Sequence, residues 1–216
     1  MNDIDISRGG GRRPPHRRRS DGERRRSAIL SEAAQLATVE GIDGLSISRL
    51  AEVVGMSKSG LYAHFGSKEE LQLATIETAN AVFEERVVEP ASAAGTGLER
   101  LRGLAENFLR YVEDGVFPGG CFFASVAAEM DTRPGPVRDV AIRLTEGWLA
   151  GLEAAVRDAQ AEGAIEASED AAQLAFELDS YLLLANAQFV VRQEAEPIER
   201  ARRALARRLS AALAAS

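Results

Sequence analysis

The chain predicts an all-α protein: an N-terminal three-helix unit followed by a larger helical body, about nine helices in all. Three observations carry that prediction. Residues 45 to 71, LSISRLAEVVGMSKSGLYAHFGSKEEL, read as two short helices joined by a tight turn with a third primed to follow. Along the rest of the chain apolar residues recur three and four apart, the period of a helix that buries one face. Between these stripes stand glycines, prolines and capping side chains that end one helix and begin the next.

An arginine-rich tail, residues 1–22, is expected to be disordered because it has too little apolar surface to bury. Helix one is expected from Glu23 to Glu40, with Ile29, Ala33, Leu36 and Ala37 inward and Gly41 as its stop. Ser46 then caps a helix whose Ile47, Leu50, Ala51 and Val54 share one face, and Gly55 ends it by accepting a left-handed backbone. Ser57 caps the next helix, which buries Leu61 and Phe65. So short a helix is held only by packing, so its outer face, Lys58, Ser59, Tyr62 and His64, is presented rigidly. Helix, glycine-containing turn and presented helix form a helix-turn-helix, whose second helix enters the DNA major groove. Ser67 to Glu70 makes a Ser-x-x-Glu capping box that opens the following helix.

In the body, a helix from Glu69 should end near Glu89, because Pro90 forbids continuation. Leu98 to Asp114, a short buried segment from Cys121 to Met130, and Val137 to Gly163 follow, the last with Val140, Leu144, Trp148, Leu152 and Val156 as its stripe. Ser168 is the expected cap for residues 169–193, which are apolar on more than one side. Pro197 opens a final helix with Ile198, Ala201, Leu205, Leu209 and Leu213 as its seam and Arg202, Arg203 and Arg207 outside. A helix apolar on two sides needs two partners. This pair is expected to build a four-helix dimer interface through Leu178, Leu182, Phe189, Leu205 and Leu209; the alternative is that both close the monomer core.

The charge is unevenly divided. Residues 8–26 hold nine arginines against Asp21 and Glu23, net +7, and the remainder carries −14. A basic tail beside the helix-turn-helix supplies phosphate-neutralising charge, and an acidic body stays off the duplex. The chain's two lysines, Lys58 and Lys68, both fall inside the motif. Apolar runs are broken well short of a membrane span and no apolar segment follows the arginines, so a cytoplasmic protein with no membrane partner is expected. A single cysteine, Cys121, forms no internal disulfide; it reads as a buried structural residue or a low-pKa redox sensor. With two histidines, His16 and His64, and that one cysteine, no Cys/His metal set or Ser-His-Asp arrangement is available, and no glycine-rich phosphate loop appears. Neither an enzyme nor a cofactor is expected.

From Ile29 to Leu71 the chain resembles the N-terminal domain of the tetracycline-repressor-like (TetR/AcrR) transcriptional regulators. The resemblance rests on AILSEAAQLATVEGIDGLSI, then LAEVVGMSKSGLYAHF, then FGSKEEL. It implies a DNA-binding domain over residues 23–67 and a regulatory and dimerisation domain over 68–216, linked by a helix whose tilt sets the spacing of two recognition helices. It assigns Tyr62, His64 and Lys68 to phosphates, and Ser46 and Ser48 to the backbone nearby. Ser57, Lys58, Ser59 and Gly60 become the candidates for base edges or adjacent phosphates. It further implies a homodimer on a near-palindromic operator, released when an unknown small molecule enters an apolar cavity. The mid-helix candidates to line that cavity are Phe108, Tyr111, Phe122, Phe123, Met130, Trp148, Phe176 and Tyr181, with Asn186 or Gln188 as polar groups. The competing readings are a ligand-independent architectural DNA-binding protein and a helical enzyme.

Overall fold

The structure, a computed structural model, describes residues 15–130 and 134–214. Over these residues the chain forms α1 Pro15–Glu40, α2 Ile47–Val53, α3 Lys58–Phe65, α4 Lys68–Phe83, a π-helical turn Glu84–Val88, α5 Glu89–Ser92, α6 Gly97–Glu113, α7 Phe122–Met130, α8 Pro136–Ala161, α9 Ala171–Arg192 and α10 Glu196–Ala212. The stretch α4, π turn and α5 is one unbroken rod, so the helices form nine rods. One buried core runs through the whole assembly, from Ile29 in α1 to Ala212 in α10. The α4 rod packs on α1 at one end and α8 at the other, which makes it the mechanical link between the small unit and the body.

Four expectations are corrected. Helix α1 begins at Pro15, so residues 15–22 are helical rather than part of a disordered tail; residues 1–14 lie outside the described residues. Proline at the first helical position gives up no hydrogen bond, and arginine is a good helix former. Pro90 does not stop the fourth helix, because the π turn ahead of it widens the coil. Side chains serve carbonyls there: Asn107 Nδ2 donates to Val87 O at 3.0 Å and Ser92 Oγ to Val88 O at 2.9 Å. Asp170 rather than Ser168 caps α9, accepting from the backbone N–H of Ala172 and Gln173 at 3.0 and 3.1 Å. A carboxylate there also meets the positive end of the helix dipole.

The fourth correction concerns the expected dimer contacts. Leu178, Leu182, Leu205 and Leu209 are buried within the chain's own core, and Phe189 is half-buried against it, because α9 packs between α8 and α10. The second apolar side of α9 is a different stripe: Phe176, Leu184 and Val191 are 59%, 59% and 84% exposed. Among the described residues α9 is also the one helix long and apolar enough to cross a membrane; its apolarity is divided between the core and that outer stripe. Arg202, expected outside, bridges α10 to α6 through Glu106 at 3.2 Å and Glu113 at 2.7 Å.

Candidate nucleic-acid interface and body cavity

All three serine caps form as their spacing requires. Ser46, Ser57 and Ser67 accept from the backbone N–H of Arg49, Gly60 and Glu70 at 3.2, 3.1 and 3.1 Å. Helix α2 buries Ile47, Leu50 and Ala51, and α3 buries Leu61 and Phe65, so the two lock together around Gly55, whose φ is 64°. That leaves Lys58, Ser59 and Tyr62 exposed along α3, with Gly60 and His64 half-buried. Tyr62 is 55% exposed, a large aromatic with no packing role. A methyl group at Gly60 would meet Ser57 Oγ at 3.1 Å, so glycine keeps this cap undisturbed as well as the helix surface low. Arg26 lies over the Phe65 ring at 5.1 Å and braces α3 against α1.

The two lysines differ. Lys58 makes no ion pair among the described residues, whereas Lys68 Nζ donates to Asp43 O at 2.6 Å and Asp43 Oδ1 at 3.0 Å. Lys68 thus ties the start of α4 to the α1–α2 turn. Ser48 is half-buried beside Arg49, whose guanidinium is held by Glu40 Oε2 at 2.9 Å. That hydrogen bond lowers the Glu40 carboxyl and raises Arg49.

The same turn is bolted to the body. Both oxygens of Glu129, on α7, accept backbone N–H groups of the turn: Ile42 N at 2.6 Å and Asp43 N at 2.8 Å. Gln72 Nε2, on α4, donates to Ile42 O at 2.6 Å. Nearby, Gln35 Nε2 donates to Val116 O at 2.9 Å, and Gly119 N donates to Thr38 Oγ1 at 3.2 Å. Gly119 has to be glycine, since a Cβ would lie 2.0 Å from Thr38 O.

On the far side of α7 the body holds a cavity of about 630 Å³, walled by the α4 rod, α6, α7, α8 and α9. Of the expected lining, Phe108, Phe123 and Trp148 face it. Tyr111 and Phe122 do not: they are buried in an aromatic cluster behind the wall, with Phe117 between them. Phe176 is on the outer stripe of α9, Tyr181 is half-buried against the core, and the Met130 side chain lies outside the described residues. Asn186 instead accepts the backbone N–H of Cys121 at 2.7 Å, and Gln188 is not in the wall. Unforeseen are Asn80, Phe83 and Glu84 from α4 and the π turn, Arg100, Arg143, and Asp179. A signal for the last existed: Asp179 interrupts the otherwise apolar run LeuAspSerTyrLeuLeuLeu. Its carboxyl is pushed up by burial, against the opposing effect of a hydrogen bond from Trp148 Nε1 at 2.8 Å. Cys121 also touches the cavity, but burial pushes its thiol up to about 11, which argues against a thiolate sensor.

An exposed, capped reading helix on a braced three-helix unit, joined by the α4 rod and the α7 clamp to a cavity-bearing helical body, defines a DNA-binding regulator whose DNA and cavity ends share a helix. Comparison with known proteins identifies which. Residues 29–75 match the family described as bacterial regulatory proteins, tetR family, and residues 97–205 match the tetracyclin repressor-like C-terminal domain. The chain belongs to the tetR family and is a transcriptional regulator, not an enzyme. It is 26% identical over 179 residues to the HTH-type transcriptional repressor NemR of Escherichia coli K12, covering 82% of this chain and 89% of that one. It is 28% identical over 144 residues to the transcriptional regulator AcuR of Cereibacter sphaeroides, 64% of each. A TetR regulator from Chloroflexus aurantiacus shares the fold at a TM-score of 0.84 and 26% identity, over 91% of this chain and 100% of that one. AibR, solved with isovaleryl coenzyme A and operator DNA, superposes at 0.67 with 25% identity, over 84% and 96%.

Proposed function

We propose that the protein is a cytoplasmic repressor that binds a near-palindromic operator as a homodimer and leaves it when a small molecule fills the body cavity. The observation that carries this reading is the double use of α4. Its first residue, Lys68, sits beside the reading helix, and its later residues Asn80 and Phe83 wall the cavity. A ligand that favours one tilt of the rod shifts the population of DNA-competent dimers. The Glu129 clamp adds a second route, since Phe123, Ala124 and Ala127 of the same helix α7 line the cavity. The exposed stripe Phe176, Leu184 and Val191 supports dimerisation through α9, because an apolar row of this length on a surface helix calls for a partner. On DNA, Lys58, Tyr62, His64 and Lys68 are the phosphate candidates and Ser57, Ser59 and Gly60 the close-approach surface, with Ser46 and Ser48 at the backbone. Ser46 and Ser57 use their hydroxyls as cap acceptors and keep an O–H that can donate, so their part is to aim helix N–H groups and a hydroxyl donor at a phosphate rather than to read bases.

The test begins with selection of an operator from random duplexes. Gly151 lines the cavity with no atom within 4 Å of its Cβ position. Gly151 is also solvent-exposed, so Gly151→Leu should narrow the open side of the cavity without displacing protein, keep operator affinity within about twofold, and weaken release by an effector that fills the cavity at least tenfold. Full release in the narrowed variant would remove the cavity from the mechanism. Leu184→Glu with Val191→Glu should give monomers by light scattering and at least a tenfold loss of operator affinity.

A further inference from the structure

The cavity holds an unbalanced charge. Asp179 takes the indole N–H of Trp148 on Oδ1 at 2.8 Å, and among the described residues Oδ2 has no donor and the carboxyl has no cationic partner. A second wall acid, Glu84, likewise makes no ion pair among the described residues. The wall's two cations do not answer them. Arg100 is committed to Asp158 at 2.6 Å, and Arg143 is exposed to solvent. Around the Asp179–Trp148 pair stand three more aromatic rings, Phe83, Phe108 and Phe123; Phe83 meets Trp148 edge-on at 5.2 Å and Phe108 stacks on it at 5.8 Å. An unpaired, partly desolvated carboxylate is unfavourable and gains either from taking up a proton or from a cation docking beside it. A ring face that a bound cation reaches adds attraction for the same sign of charge.

We propose that the effector is an organic cation, a protonated amine or quaternary nitrogen on an apolar body, whose charged nitrogen docks at the free oxygen of Asp179 among the rings of Phe83, Phe108, Phe123 and Trp148. This rests on the reading of the cavity as the effector site. Asp179 supplies sign selectivity, the rings bind the apolar body, and Glu84 offers a second, longer-range attraction from the π turn. Because Glu84 belongs to the α4 rod, a cation drawn between Asp179 and Glu84 also pulls on the element that sets operator spacing.

Three probes of one shape and different charge decide it: 1-naphthylmethylammonium, 1-naphthylmethanol and 1-naphthylacetate, titrated into the full-length protein by calorimetry. The cation should bind at least tenfold tighter than the alcohol, with the acetate weakest. Asp179→Asn, which keeps an acceptor for Trp148, should erase the cation's advantage while the alcohol changes less than about twofold. The acetate binding tightest, an advantage that survives Asp179→Asn, or no binding by any of the three would overturn the proposal. Operator release is read separately by anisotropy of a labelled duplex. If the cation binds through Asp179 and the duplex stays bound, the ligand class stands and the release mechanism falls.

Discussion

Glu129→Gln isolates the clamp between the body and the reading unit. In the native chain each carboxylate oxygen accepts one backbone N–H of the α1–α2 turn, at 2.6 and 2.8 Å. Glutamine keeps a single acceptor and turns an amide NH₂ toward the second N–H, so one charge-assisted bond is lost and two donors face each other. A hydrogen bond to a charged group is worth about 1.5–3 kcal/mol. Half-exposure of Glu129 places the loss near the lower bound, about 2 kcal/mol, which for a chain of this length lowers Tm by about 4–8 °C. Scanning calorimetry reads that fall, and hydrogen exchange at the Ile42 and Asp43 amides should quicken by about tenfold or more. If the clamp carries the effector signal, the variant also keeps more of its operator affinity when the cavity is filled. An unchanged Tm together with unchanged protection at Ile42 and Asp43 would refute the clamp.

Three further outcomes are expected. Among the described residues the buried Tyr111 hydroxyl has no hydrogen-bond partner, so Tyr111→Phe should leave stability unchanged or raise it by up to about 1 kcal/mol in a denaturant melt. Lys58→Ala should weaken binding to all duplexes alike and reduce the slope of log affinity against log salt by about one unit; Lys68→Ala should reduce it less and lower Tm besides, because Lys68 is already tied to Asp43. Asp179 has a carboxyl raised in the fold, so its contribution is fully present below the ordinary aspartate pKa and is lost as pH rises through the raised value. Asp179→Asn should therefore melt above wild type at neutral pH, with the gap closing toward about pH 4.

The reading unit was legible because its signals are local. Ser46, Ser57, Ser67 and Gly55 act within one turn of themselves, and each does in the structure what its neighbours require. Tertiary context decided the rest. Leu178 and Leu205 look the same in sequence whether they face a core or a second chain, and only the seating of α9 between α8 and α10 shows that the spare face belongs to Phe176, Leu184 and Val191. Aromatic type was a poor guide to the cavity for a related reason. Seven rings from Phe83 to Trp148 touch one another, and packing consumes Tyr111, Phe117 and Phe122. Glu129 gave no signal at all, since its partners are backbone N–H groups more than eighty residues away. Pro90 misled because a π turn cannot be read from residue types.

The scarcity of lysine turns the chain into its own chemical reporter. Every side-chain amine lies in the reading unit, one exposed at Lys58 and one held by Asp43 at Lys68. An acylating reagent therefore modifies these two side chains and leaves the lysine-free body unmarked. Each addition cancels one positive charge on the proposed phosphate-facing surface, and under that proposal bound duplex should shield the exposed Lys58 most, since Lys68 is already held by Asp43. If Lys58 meets the operator as proposed, acylation and operator occupancy compete, and protection of that lysine in a mass spectrum reports how much of the protein is on DNA.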